Sequence, residues 1–158
     1  MLKVLIKIFF FFIFLLNANC GFKVLDSGTN NFIINDIKTT GDKKINFKIK
    51  NKLLINNNID SKNILSIDII TKKTKTIKEK NIKNEITKYK IALNVIVKFN
   101  VIGGDIKGEI NLSSEGDYLV GDNNSITISN EKRVVDNLLE NISKKILDEI
   151  NFKLLNDT

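Results

Sequence analysis

The chain has 158 residues, a formal net charge of +7, a single cysteine and no histidine, proline or tryptophan. Histidine is the commonest general base and metal ligand, so its absence beside a lone cysteine excludes Cys/His zinc sites, Cys–His dyads and intramolecular disulfides. No motif arranges carboxylates, lysines or serines for catalysis. We therefore expect a protein that is not an enzyme and needs neither metal nor cofactor.

The N-terminal segment has the pattern of an export signal. Lys3 and Lys7 are followed by an apolar run from Ile8 to Leu16. This run is well short of the roughly 20 apolar residues that a bilayer-spanning helix needs. The pattern predicts a secretory signal peptide at residues 1–19. An uncleaved N-terminal membrane anchor is the alternative, and in both cases the rest of the chain is exported.

The only cysteine, Cys20, directly follows this segment, as the acylated cysteine of a bacterial lipoprotein does. Asn17 and Asn19 depart from the usual residues before such a cysteine, but the order of charged region, apolar region and cysteine is kept. We predict that Cys20 is lipidated and that residues 20–31 form a lipidated tether. Gly21, which is not the aspartate of an inner-membrane retention signal, favours the outer membrane. A free or disulfide-forming thiol is the alternative.

Residues 32–158 are predicted to form one domain. The apolar residues from Phe32 to Ile37 indicate a short strand. Ile45, Ile49 and Leu53 lie on one face of a helix, although part of this segment also alternates as a strand does. Thr40 is a possible helix cap and favours the helix.

Three strands are predicted next. Leu65, Ile67 and Ile69 alternate with polar residues, and this strand continues into the polar sequence TKKTKTIKEK. From Tyr89 to Val101, apolar residues line one side and mostly polar residues line the other, as in an antiparallel sheet with one wet face. The sequence Gly-Gly-Asp at residues 103–105 indicates a hairpin turn into a further alternating strand.

The last element is predicted to be an amphipathic helix. Apolar residues from Val135 to Ile150 recur at steps of three and four, whereas Asp136 and Glu140 are expected to face water. Ser129 is the predicted N-cap, with Glu131 near the positive end of the helix dipole. The order β-α-β-β-β-α predicts an α+β two-layer sandwich of a mostly antiparallel sheet with two helices.

The exported part is basic, which suggests an anionic lipid or glycolipid partner rather than nucleic acid. Codon bias toward lysine is the alternative explanation. A run of lysines at the end of the second strand is the candidate site for phosphates of lipopolysaccharide. Its members are Lys72, Lys73, Lys75, Lys78, Lys80 and Lys83. Alternatively, these are solvated edge-strand lysines that prevent sheets from aggregating.

Four segments, taken in order, resemble one family. They are CGFKVL at Cys20, TKYKIALNVIVKF at Thr87, the Ser113-Ser114 pair with Tyr118 shortly after it, and NEKRVVDNLLENISKKILDEI at Asn130. Together they resemble the LPS-assembly lipoprotein LptE of Gram-negative outer membranes.

This resemblance implies a role without catalysis. LptE proteins plug the LptD β-barrel, assist its assembly and bind lipopolysaccharide on its way to the outer leaflet. The chain would then lie at the periplasmic face of the outer membrane, held by acylated Cys20. The alternative is another small outer-membrane lipoprotein, either an auxiliary subunit of a lipid-trafficking ABC system or a pilot for another pore.

Overall fold

The computed structural model describes residues 31–55 and 61–156 of the chain. The predicted signal peptide and the tether with Cys20 lie outside these residues, apart from Asn31. The described elements are β1 (Phe32–Gly41), α1 (Lys43–Ile55), β2 (Asn63–Lys80), β3 (Ile86–Val101), β4 (Lys107–Leu119) and α2 (Asn124–Asn156). The predicted α+β fold and its element order are confirmed.

The four strands form one sheet in the order β1-β2-β3-β4. The β2–β3 and β3–β4 pairs are antiparallel hairpins. β1 runs parallel to β2, because α1 carries the chain back across the sheet before β2 begins. The sheet is therefore mixed, with a single parallel pair at one edge.

Both helices pack on one face of the sheet and share one hydrophobic core with it. Alternate residues of β3, including Ile91, Leu93 and Val97, are almost fully buried beneath the helices. The opposite side of the sheet, which we call the open face, carries cross-strand ion pairs. Lys90 lies 2.6 Å from Glu115 there. The alternation predicted for β3 therefore separates the core from a polar surface.

The two helices run side by side and are joined by ion pairs. Lys48 of α1 binds Asp136 of α2, and Lys52 binds Glu140 one turn further along both helices. Asp136 and Glu140 were expected to face water, and they do remain partly exposed. Each nevertheless has a cationic partner, which the pattern of a single helix could not reveal.

Both predicted helix caps are wrong. Asp42, not Thr40, caps α1: its Oδ1 accepts hydrogen bonds from the N–H groups of Lys44 and Ile45. Thr40 is still part of β1. α2 begins at Asn124, where Asn123 Oδ1 accepts from the N–H of Ile126.

Ser129 consequently lies inside α2. The extra turn at the start of this helix is held by the preceding loop, since Thr127 Oγ1 accepts a hydrogen bond from the N–H of Gly121 at 2.9 Å. Ile126 lies close against the same glycine. Tertiary contacts therefore extend a helix whose first residues have little helical propensity of their own.

A tight turn connects β1 to α1. Gly41 has a φ of +107°, and a Cβ atom there would lie 2.0 Å from the carbonyl oxygen of Thr71. Below this turn, the buried Thr71 hydroxyl donates to Asn46 Oδ1 at 2.7 Å and accepts from the N–H of Asp42 at 3.2 Å. Together these contacts fix where β1 ends and where α1 begins.

Candidate functional site

The six lysines of the predicted glycolipid site lie along β2 and the turn that follows it. The last β1–β2 pair is Gly41 with Thr71, after which α1 turns the chain away. Residues 72–90, which we call the hairpin end, therefore extend beyond β1. They contain eight lysines and two glutamates. The candidate lysines thus belong to one basic element at the end of the sheet.

Lys73 and Lys75 point to the helix-covered side of the sheet, where one carboxylate holds both. Lys73 Nζ lies 2.9 Å from Glu131 Oε1, and Lys75 Nζ lies 2.9 Å from Glu131 Oε2. The Tyr118 hydroxyl donates a hydrogen bond to the same Oε2 at 2.8 Å. Glu131 of α2 therefore connects three side chains from β2 and β4.

The two tyrosines of the chain complete this arrangement. Tyr89 and Tyr118 are cross-strand partners, and their rings are stacked. The ring centroids are 5.5 Å apart and the ring planes are inclined by 25°. Lys75 Nζ lies over the Tyr89 ring, 4.2 Å from its centroid, which is the geometry of a cation–π interaction. We call these residues the Glu131 cluster, whose members are Lys73, Lys75, Tyr89, Tyr118 and Glu131.

The cluster shifts the ionisation of its members. Partial burial alone would raise the pKa of Glu131, but hydrogen bonds from Lys73, Lys75 and Tyr118 outweigh it and lower this pKa to about 2. The hydrogen bond with Tyr118 is the main reason that the pKa of Lys75 is raised; burial opposes it and Glu131 adds to it. Burial raises the pKa of Tyr118, against the effect of Lys75. At neutral pH the Glu131 carboxylate is therefore ionised and Lys75 is protonated.

The other four lysines face elsewhere. Lys78 binds Asp117, and this hydrogen bond raises the pKa of Lys78. Lys80 Nζ donates to Asn84 Oδ1 at 2.9 Å. Lys72 and Lys83 are exposed and have no ionic partner among the described residues. The six lysines therefore do not form one continuous cationic surface, because three of them are matched with carboxylates.

A shallow cleft lies beside the Glu131 cluster, between the end of β4 and the first turns of α2. Its volume is about 360 Å³. It is lined by Lys88, Asp117, Tyr118, Leu119, Asn130 and Arg133. Asn130 donates to the Leu119 carbonyl at 3.1 Å, and Lys88 lies 2.7 Å from Glu79. Arg133 is exposed and has no acidic partner in the described part of the chain. The cleft combines apolar walls with an unmatched guanidinium group, which suits an anionic amphiphile.

Comparison with known proteins identifies solved structures that share the fold of this chain. No family model and no curated protein matches the sequence. Among solved structures, a protein of Caulobacter crescentus described as a lipoprotein matches with a TM-score of 0.50 and 11% identity, covering 77% of this chain and 92% of that one. The uncharacterized lipoprotein B of Nitrosomonas europaea matches with a TM-score of 0.50 and 12% identity, covering 78% and 87%. This chain has the fold of these lipoproteins.

The rare lipoprotein B of Shewanella oneidensis also matches, with a TM-score of 0.43 and 13% identity over 78% of this chain and 92% of that one. At identities this low, likeness to the lipoproteins of Caulobacter and Nitrosomonas establishes the architecture alone.

Residues 31–55 and 61–156 contain no cluster of three acidic, histidine or cysteine side chains that could hold a metal ion. Within the same ranges, no helix is long and apolar enough to cross a membrane.

The partners of the candidate lysines could not be predicted from the sequence. The sequence places Glu131 only near the positive end of a helix dipole, Tyr89 on the apolar side of a strand, and Tyr118 within the family resemblance. Two signals were available: the chain has only two tyrosines, and Arg133 is its only arginine beside 24 lysines. Their contacts depend on which strands and helices become neighbours, so the pattern of one segment could not predict them.

Proposed function

We propose that this chain is an outer-membrane lipoprotein, held by acylated Cys20, that plugs an LptD-type β-barrel and assists its assembly. We further propose that it binds lipopolysaccharide during transport to the outer leaflet and performs no catalysis. The observation that carries this proposal is the likeness of its fold to solved lipoproteins, joined to the cysteine that follows an export signal.

The polar surface of the domain supports the proposed role as a plug inside a barrel. The lumen of a large membrane barrel is polar, so a domain within it needs polar outer surfaces. The open face meets this need with cross-strand pairs, including Lys90 with Glu115 and Lys98 with Glu109 at 3.6 Å. Such pairs leave few free charges to repel a barrel wall.

Lipopolysaccharide binding would use cations near the cleft and the hairpin end that have no carboxylate partner among residues 31–55 and 61–156. Lys72 and Lys83 at the hairpin end are exposed, and Arg133 lies in the cleft beside Leu119 and Tyr118. A guanidinium group binds phosphate through two parallel hydrogen bonds, and the apolar walls of the cleft can cover part of a lipid. Lys73 and Lys75 are less available, because Glu131 already holds them.

Co-purification tests the partner. The chain, tagged after Thr158, is extracted with outer membranes in mild detergent, and the proteins that accompany it are identified. We expect a large β-barrel whose gel mobility changes on heating and whose level falls when the chain is depleted. Recovery of the chain alone, or with an inner-membrane transport complex, would contradict the plug and favour another small lipoprotein. Cys20→Ser should release the chain from the membrane fraction.

Binding to purified lipopolysaccharide tests the second part. We expect Arg133→Glu combined with Lys83→Glu to weaken binding about tenfold or more, because two phosphate contacts become repulsions. Lys144→Glu combined with Lys145→Glu, on the exposed side of α2, makes the same change in net charge and is the control. Equal losses of affinity in the two double variants would show that only overall charge matters and would rule out the cleft and hairpin end as a specific lipopolysaccharide site.

A further inference from the structure

The hairpin end has an unpaired backbone edge. β2 is 18 residues long, but β1 pairs with it only as far as Thr71. On its other side, β2 stays paired with β3 through to Lys80. No described residue pairs with residues 72–80 on the β1 side. This stretch of β2 is therefore an edge strand, although β2 is an inner strand up to Thr71.

The direction of the free backbone groups follows from two contacts. The Thr71 carbonyl faces Gly41 of β1, whereas the Ile64 carbonyl accepts a hydrogen bond from the N–H of Ile102, which follows β3. Backbone groups of successive residues in a strand point alternately to its two sides, and the β2–β3 register is regular from residue 65 to 77. The N–H and C=O groups of Lys73, Lys75 and Ile77 therefore point to the unpaired side.

The lysine side chains do not guard this edge. Lysines protect an edge strand when they project over it into solvent. Here Glu131 draws Lys73 and Lys75 onto the helix-covered face, and Lys75 lies over Tyr89. Ile77 is half exposed, at 51%. The backbone groups of these three residues thus remain open to another strand.

We propose that this edge receives an extended, acidic segment of a partner protein, which adds to the sheet as a strand in line with β1. Lys73 to Ile77 spans about 13 Å, four steps at a strand rise of about 3.3 Å per residue, which is enough to pair with a five-residue strand. Lys72, Lys80 and Lys83 of the hairpin end have no carboxylate partner among the described residues, so acidic side chains on the added strand would meet positive charge that is not already matched. A second copy of this chain would instead place lysines opposite lysines, which is unfavourable.

This inference does not depend on lipopolysaccharide binding, and its test uses a different ligand. The probe is a capped peptide of alternating glutamate with valine or threonine, added to the ¹⁵N-labelled exported chain carrying Cys20→Ser. We expect the amides of Lys73, Lys75 and Ile77 to shift and to exchange more slowly. A peptide with lysine in place of glutamate is the control for charge. The acidic peptide with N-methyl groups on alternate amides is the control for backbone pairing, and neither control should bind.

Variants of Ile77 test the same edge from the protein side. Ile77→Pro removes one N–H that points to the unpaired side and leaves the β2–β3 hydrogen bonds in place, so it should weaken peptide binding about fivefold or more. Ile77→Thr keeps that N–H and should bind the peptide as the parent does. Amide shifts elsewhere, or equal binding of the N-methylated peptide, would overturn the proposal. A dimer in sedimentation that Ile77→Pro dissociates would also overturn it, because the occupant would then be a second copy. The N-methyl comparison needs no variant, so the test stands even if Ile77→Pro does not fold.

Discussion

The Tyr118 hydroxyl donates a hydrogen bond to Glu131 Oε2 at 2.8 Å and thereby joins the end of β4 to the second turn of α2. Glu131 also accepts from Lys73 and Lys75, so the carboxylate is the point at which the first turns of α2 are attached to the hairpin end. Two lysines that the sequence suggests for ligand binding therefore have a structural role. Their replacement would alter folding as well as any binding.

Glu131→Gln should destabilise the protein in a pH-dependent manner. The pKa of Glu131 lies at about 2 in the folded state, below its ordinary value of 4.5, so its contribution to stability is complete above about pH 4.5 and is lost as the pH falls toward 2. The side chain is 24% exposed, and after screening we expect a loss of about 1–2 kcal/mol at pH 7. Urea unfolding from pH 7 to pH 2 measures it.

Glu149→Gln, on the exposed side of α2, is the matched control and should change stability by less than about 0.5 kcal/mol. A deficit in Glu131→Gln that stays constant down to pH 2 would contradict the linkage. It would mean that packing, not charge, accounts for the effect.

Gly41→Ala should be strongly destabilising. The residue has a φ of +107°, and its Cβ would overlap the Thr71 carbonyl oxygen, which belongs to a rigid strand. We expect a loss of more than about 2 kcal/mol in the free energy of unfolding. Gly103→Ala is the control, because Gly103 also has a positive φ, +81°, but nothing lies within 4 Å of its Cβ position. That variant should lose only about 1 kcal/mol. Equal losses would mean that the close approach to Thr71 has no energetic weight.

Thr71→Val should destabilise although it preserves shape and β propensity. It leaves Asn46 Oδ1 without a donor and the N–H of Asp42 without its hydroxyl acceptor, at a buried site. The expected cost is about 1–3 kcal/mol. Thr74→Val, at an exposed position of the same strand, should cost less than about 0.5 kcal/mol. Thermal unfolding of the two variants provides the comparison, and a Thr71→Val variant as stable as the parent would mean that these two hydrogen bonds add no net stability.

Ser143→Ala should stabilise the protein. The Ser143 hydroxyl is buried in α2 and has no hydrogen-bond partner in the part of the chain that the structure describes, so its removal relieves a desolvation cost and improves helix propensity. We expect a gain of about 1 kcal/mol. Ser129→Ala lies on an exposed part of the same helix and improves helix propensity alone. Its gain in the free energy of unfolding, measured by chemical denaturation, should be smaller than that of Ser143→Ala. A loss of stability in Ser143→Ala would indicate that the hydroxyl has a partner in solution.

The sequence alone determined the elements and the sides they bury. Period-two alternation places Ile91, Leu93 and Val97 on the core face of β3, and steps of three and four place Leu139 and Ile146 on the core face of α2. These patterns are local, since they arise from the geometry of one strand or one helix. They were sufficient for the α+β class and for the order of its elements.

Only the tertiary structure decided what lies next to what. The parallel β1–β2 pair, the joining of Lys73 and Lys75 to Glu131, and the unpaired edge of β2 all depend on residues far apart in sequence. The same holds for the start of α2 at Asn124, which the contacts of Gly121 with Ile126 and Thr127 favour over the predicted start at Ser129. Pairing, capping and charge matching are contacts between elements. Periodicity within one element carries no information about them, so the lysines could be located along the chain but not assigned their partners.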